Sequence, residues 1–279
     1  MSISVLTNVA SLNAQRNLAT TQTALAASVG RLSSGMRINT AADDAAGLGI
    51  SENLKANIRS LAQAQRNAND GISMSQVAEG SMNEMQGIVS RRRELSIQAA
   101  NGTLGSTERG YIQTEFSTLS DEIDRIGLVT EFNGQKLLEG SASNGLSFQI
   151  GIKDSANDRL VMSIGTLMAS TLGSTVKIAN LSLSTAAKAQ AAIGSFDKAI
   201  QQLSQARAKV GATQNRMTVT VSNLAVAQEN LTAANSRIRD VDVAAESANL
   251  TKSQILSQAG LAVLAQANQL PQSALSLLR

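Results

Sequence analysis

The chain has 279 residues, with 24 Lys and Arg against 21 Asp and Glu for a formal charge of +3, and it contains no cysteine and no histidine. Disulfides, thiolate metal sites and imidazole general bases are therefore excluded. Aromatic residues are 2% of the chain, with one Tyr, no Trp and Phe only at 116, 132, 148 and 196; the side chains that fill a thick interior are nearly missing, which favours long helices burying narrow seams.

The first segment places Val5, Val9 and Leu12 at helical spacing, then repeats Leu18, Leu25 and Leu32 every seven residues, flanked by Val29 and Met36. It closes at Ser33-Ser34-Gly35. A second start signal follows at Thr40, with Asp43 three residues on, resembling a capping box with a shorter acid. From about 51 to 99 the chain reads as one long helix, and Asn101-Gly102 marks a turn. Ile112, Phe116, Leu119, Ile123 and Ile126 form one apolar stripe of a further helix, ending near Gly127 before a loop at Asn133-Gly134.

Between about 140 and 185 the period changes. Leu146, Phe148, Ile150 and Ile152 alternate with small or polar residues, and Leu160, Met162 and Ile164 do so again after a turn-like stretch at 154–158. This predicts a β-hairpin. Phe196, Leu203, Val210, Met217, Leu224, Leu231 and Ile238 then recur every seven residues, with a half-polar companion row at Ile193, Ile200, Arg207, Gln214, Val221, Gln228 and Asn235. Such a helix is a rod roughly 63 Å long and needs a partner of similar length, for which residues 51–99 are the candidate. A last helix is expected from about Val243 to Gln269, ending near Pro271.

The predicted fold class is mainly α: a long antiparallel coiled-coil helical rod with a small β-hairpin region and paired N- and C-terminal helices. Charge supports that pairing, because residues 41–140 carry nine Lys/Arg against fourteen Asp/Glu, and residues 186–239 carry seven against two. The expected division is an inner core domain of residues 1–42 and 240–279, a rod of 43–140 and 186–239, and the hairpin region 141–185. The terminal helices bury little by themselves and are expected to be ordered by assembly.

Candidate chemistry is sparse. Asp43-Asp44 could form a carboxylate pair, but no further ligand completes a site, and helix N-terminal charge explains them. Gly47 and Gly49 do not follow a strand, so they do not make a phosphate loop. Arg91-Arg92-Arg93 is the densest basic patch and reads as a solvated helix face or a contact between subunits, without a nucleic-acid signature. No catalytic residue, metal or cofactor is expected, and so no enzyme. The charge-free run 253–278 is interrupted by Gln and Asn, so no membrane span is expected. Residues 1–15 have neither a charged side chain nor a long apolar core, which argues against a cleaved secretory leader.

Particular motifs resemble those of bacterial flagellins. They are Ser11-Leu-Asn-Ala-Gln-Arg16-Asn, Arg31-Leu-Ser-Ser-Gly35-Met-Arg37-Ile-Asn39 and Asp43-Asp-Ala-Ala-Gly47 near the start, and Glu131-Phe-Asn-Gly134-Gln-Lys-Leu further on. Ala234-Asn-Ser-Arg237-Ile-Arg-Asp240-Val-Asp242, Ile255-Leu256 and Gln266-Ala-Asn268-Gln-Leu-Pro271 through Arg279 match in the same way. The resemblance covers roughly 2–140 and 190–279 and implies an extracellular subunit of the flagellar filament. It further implies export by the flagellar type III apparatus, a chaperone on the C-terminal helix, and assembly as a homopolymer with cap and hook-junction proteins as partners. Only about 45 residues have β texture, so no separate outer domain is expected. Arg91, Glu94, Leu95 and Glu115 resemble the patch recognised by a vertebrate Toll-like receptor, and the same residues could serve protofilament contacts. Alternative readings are a hook–filament junction protein, a surface-exposed binder of anionic polymers using the basic balance, and a cytosolic coiled-coil scaffold.

Overall fold

Helix α1, Val9–Ser34, begins where the Asn8 side chain accepts the Ser11 amide and stops where Gly35 adopts a left-handed conformation with φ 69°. The computed structural model describes residues 7–173 and 176–276, with side chains to Gln269; Val5 and the last three residues of the C-terminal motif lie outside it. After α1 come α2 (Ala45–Ala99), α3 (Ser106–Val129), the strand pair β1 (Glu131–Phe132) and β2 (Gln135–Lys136), the pair β3 (Leu146–Gln149) and β4 (Arg159–Met162), α4 (Ala186–Arg239) and α5 (Val243–Ser276).

Several boundaries differ from the sequence reading for identifiable reasons. Thr40 does not open α2. Its amide and that of Asn39 donate to Asp43 Oδ2 at 2.9 and 3.2 Å, closing a turn, and Asp44 caps the helix by accepting the Gly47 amide at 2.8 Å. Those bonds, with Arg31 nearby, hold the Asp43 carboxyl below the usual carboxylate range. Asn133-Gly134 is a two-residue hairpin turn and not an open loop. Both residues have positive φ, 50° and 78°, the twist that lets β1 and β2 pair directly. Backbone helix α5 continues through Pro271 to Ser276; a proline forfeits one i→i−4 bond without always ending the helix.

The expected hairpin is β3–β4, antiparallel, with Leu146 opposite Met162 and Phe148 opposite Leu160. Its alternation stops at Ile150. The amides of Ile150 and Gly151 both donate to the Asp158 carbonyl, at 2.8 and 3.0 Å. The extra residue breaks the period, and Ile152 turns out to solvent.

Along α4, Phe196, Leu203, Val210, Met217 and Leu224 are buried, whereas Leu231 and Ile238 are only half-buried. The companion row from Ile193 to Asn235 is also half-buried; the side chains that join the main row inside are Ala189, Ala192, Ser195 and Ala199. Helix α2 answers with its own seven-residue frame, Ala64, Gly71, Ala78, Met85, Arg92 and Ala99 beside Leu61, Ala68, Ser75, Met82, Val89 and Ser96, all withheld from solvent. Large meets small: a Cβ on Gly71 would fall 2.6 Å from Met217 Cε, and Met217 clusters with Ala68, Ile150 and Leu160.

The chain forms two compact units, one of residues up to Ile58 with those from Glu229 onward, the other of Arg59–Gln228. Pairing of α2 with α4 is antiparallel in each. In the larger unit Arg93 meets Asp197 at 2.7 Å and Arg207 donates to Gln86 at 2.8 Å. In the other, Ser51 donates to Asn235 at 2.9 Å, and Arg37 donates backbone and side-chain bonds to the carbonyls of Arg239 and Ile238 at 2.6 Å. The main core of the larger unit gathers Met82, Met85 and Val89 of α2, Phe116 and Ile123 of α3, Leu137, Leu138, Met162 and Ile164 around the strands, and Phe196, Leu203 and Val210 of α4.

Leu203→Ala should destabilise the unassembled protein by about 2–5 kcal/mol, because the site is fully buried. Val219→Ala, on the exposed side of the same helix, should change stability by less than about 0.5 kcal/mol. Denaturant melts of both variants check this, and the reverse ranking would mean that the seam register is wrong.

Candidate functional site

In the unit formed by the chain ends, α1 and α5 run antiparallel and very close. Asn8 Nδ2 donates to the Ala267 carbonyl at 2.7 Å and Ser11 Oγ to Asn268 Oδ1 at 2.8 Å. Further along, Leu18 lies against Gly260, where an added Cβ would meet Leu18 Cδ1 at 3.3 Å. Leu18, Leu25 and Leu32 on α1 are half-buried, as are Leu250, Ser253, Ser257, Gly260 and Leu264 on α5, where Ala267 is buried. Arg31 approaches Glu246 at 3.9 Å and Asp43 at 3.8 Å, yet Arg31 Nε and Glu246 Oε1 are buried without a hydrogen-bond partner.

This seam is narrow, and many large aliphatic side chains of the pair lie outside it. Val9, Leu12 and Val29 of α1, and Val243, Ile255, Leu256, Leu261 and Val263 of α5, are each roughly half exposed or more, with Val243 and Ile255 at 61%. Exposed aliphatic side chains on this scale are surface that another molecule can cover.

The three consecutive arginines of α2 take three directions, as steps of about 100° require. Arg91 faces α3 and binds Glu115 at 2.9 Å and Glu94 at 3.1 Å; those carboxylates, Glu94 first, raise its pKa. Arg93 pairs with Asp197 on α4. These pairs are solvent-exposed and add little to stability. Arg91, Glu94 and Glu115 are thus brought together, but Leu95 is not part of their surface: it is 1% exposed and packs in the core.

Arg92 overturns its reading as a solvated residue. It is 1% exposed. Its guanidinium sits 4.1 Å from the Phe116 ring centroid and 5.3 Å from that of Phe196, rings that meet edge to face at 5.7 Å. Nη2 donates to the Ile178 carbonyl at 2.9 Å, while Nε and Nη1 have no partner among the described residues. Loss of water lowers its pKa to about 10, opposed by Asp124 and Asp121. Ring faces offset part of that cost through cation–π attraction. The missed signal was spacing, since Arg92 stands seven residues after Met85 and seven before Ala99 in the buried frame of α2.

Among the described residues no group of three or more acidic side chains could hold a metal ion, and no helix is long and apolar enough to cross a membrane. Residues 5–143 match the pattern of the bacterial flagellin N-terminal helical region, and residues 193–278 that of the bacterial flagellin C-terminal helical region. The chain is 45% identical to a flagellar filament 33 kDa core protein of Treponema phagedenis, over 98% of both chains. It is 44% identical to a flagellin of Bacillus subtilis, again over 98% of both. The chain belongs to the bacterial flagellin family. A solved structure described as a flagellar hook-associated protein from Vibrio parahaemolyticus shares the fold, with a TM-score of 0.59, 14% identity and coverage of 71% of this chain and all of that one.

The flagellin patterns cover α1 through α3 with β1 and β2, and nearly all of α4 with α5. The stretch between them holds β3, β4 and the loop that supplies the Ile178 carbonyl to Arg92. In this flagellin the buried arginine is therefore completed by backbone from outside both family patterns.

Arg92→Met keeps most of the volume and should stay within about 1.5 kcal/mol of the parent at neutral pH, whereas Arg92→Ala should cost about 2–5 kcal/mol. The folded-state pKa of a buried cation is depressed, so the folded chain binds fewer protons than the unfolded chain above pH about 10. Stability from this group therefore rises with pH there, and the parent should gain on Arg92→Met by at most about 1.4 kcal/mol per pH unit. Denaturant melts at roughly pH 8 and pH 11 measure the difference; a parent that loses ground on the Met variant at high pH would contradict the buried-cation account.

Proposed function

We propose that this chain is the structural subunit of a bacterial flagellar filament and that its role in motility is mechanical. The observation that carries this reading is the apolar surface that the terminal helices leave uncovered: Val9, Leu12 and Val29 on α1 and Val243, Ile255, Leu256, Leu261 and Val263 on α5 lie exposed outside a narrow seam. In a polymer the next copies cover those side chains, each contributing about 1.5–3 kcal/mol on full burial. Kinship at 45% identity with a flagellar filament core protein supports the same role.

On this reading residues 1–42 and 240–279 line the inside of the filament, residues 43–140 and 186–239 form the rod around it, and the 141–185 region stays with the rod. The subunit leaves the cell through the flagellar type III apparatus, escorted by an export chaperone on its C-terminal helix. It then adds to the filament at the cap, beyond the hook-junction proteins. Arg91, Glu94 and Glu115 form the charged surface offered to a Toll-like receptor or to neighbouring protofilaments, and Leu95 supports it from within.

Replacing Ile255 and Leu261 with Ser leaves the buried seam untouched, so the monomer should keep its helix content within error while filament formation is abolished or the critical concentration rises at least tenfold. Circular dichroism and electron microscopy after seeding read the two properties. Normal filaments from the double variant would sink the outward-face argument.

A further inference from the structure

Helix α4 carries a second heptad column that its own unit leaves bare. Ala212, Val219 and Val226 recur every seven residues, with Val219 61% and Val226 57% exposed. Valine at an exposed helical position loses side-chain freedom for no packing return, so the helix itself does not favour the repeat. Beside it Lys209 and Arg216 recur at the same interval, and neither forms an ion pair among the described residues.

The same unit holds a surface of opposite character. An open groove of about 690 Å³ runs between α2 and the second half of α3, with Val77, Ile88, Ile126 and Val129 along it and Glu84, Glu122 and Glu131 at its rim. Val129 is 58% exposed. Gly80 keeps the α2 side open, since a Cβ there would meet nothing within 4 Å. Arg125 pairs with Glu122 and Lys136 with Glu131, whereas Glu84 has no ion-pair partner among the described residues.

We infer that the groove receives the Val219–Val226 column of a second copy of this chain, with Lys209 and Arg216 of that copy directed at Glu84 and Glu122. Apolar and charged halves of the two surfaces are complementary, and Val219 to Val226 spans about 10.5 Å, shorter than the roughly 16 Å from Val77 to Ile88. Column and groove are different surfaces of one subunit, so the contact is head-to-tail, the kind that builds an open helical polymer when its rotation does not close a ring. The inference rests on the filament-subunit reading and specifies which faces of the subunit meet.

The chain has no cysteine, so introduced thiols report only themselves. Subunits carrying Val77→Cys and subunits carrying Val219→Cys are mixed, assembled into filaments and oxidised. A disulfide-linked dimer is expected in the filament, and none from a mixture in which Tyr111→Cys replaces Val77→Cys. A second arm reads charge: Arg216→Glu should slow assembly at low salt several-fold, and mixing in Glu84→Lys subunits should restore much of the rate. This arm decides the matter if the thiol variants do not assemble. Filaments that form normally but give no Val77–Val219 link, or no rescue by Glu84→Lys, overturn the contact while leaving the subunit reading intact. If the unmodified chain forms no filaments, the subunit reading itself fails and this contact with it.

Discussion

Where the long helices of this protein are shown to approach most closely, a large side chain on one meets a glycine on its partner: Met217 against Gly71 and Leu18 against Gly260. Further along the α2–α4 pair, Phe196 and Leu203 share the core with Met82, Met85, Val89 and Arg92, while the half-buried positions of the α1–α5 pair are Leu18, Leu25 and Leu32 against Leu250, Ser253, Ser257, Gly260 and Leu264. Such seams hold two helices in register, but they bury a strip and not a volume. What remains apolar must stay exposed or be covered by another molecule, and the outward valines, leucines and isoleucines of α1 and α5 are that remainder.

The seam thickens into a true core only where α3, β3–β4 and the following loop join α2 and α4. There Phe116 and Phe196, half of the chain's phenylalanines, meet edge to face and both lie against one guanidinium. Arg92 ties α2 to α3 and α4 through the two rings and to the loop through the Ile178 carbonyl. Burial of an isolated charge is costly, and here ring faces, one carbonyl and the carboxylates of Asp121 and Asp124 offset it. Arg91 and Arg93, one position away on either side, hold exposed partners on α3 and α4. A run of three like charges thus becomes an inter-helix brace with its middle member inside.

The elements legible in the sequence were those whose buried columns are bulky. The heptads of α4, the stripe of α3 and the alternation of β3 and β4 all stand out against Ser, Gln and Asn, and the family motifs at both ends point to flagellin without a structure. What hid was the complementary half of each seam. Ala64, Gly71 and Ala78 do not register as an apolar pattern, so the frame that contains Arg92 passed unnoticed and the arginine was read as solvated. For the same reason Val9 and Leu12 looked like the buried side of α1, whereas the inner columns contain Ser11, Ala14 and Ser28. Leu231 and Ile238 repeat as regularly as Leu203 but are covered only halfway. Asp43 and Asp44 are equally able to cap a helix, and only the turn between α1 and α2 decides that Asp44 does so.

Amide hydrogen exchange on the monomer and on the filament addresses the central claim, that the terminal helices are completed by neighbouring copies because their own seam buries too little. Protection tracks local burial and cooperative packing. In the monomer the amides of α1 and α5 should exchange at least a hundredfold faster than those of α2 between Met82 and Ser96, which lie under the core, and assembly should bring the two sets to comparable protection. Terminal helices as protected in the monomer as the core of α2, with no change on assembly, would contradict the account.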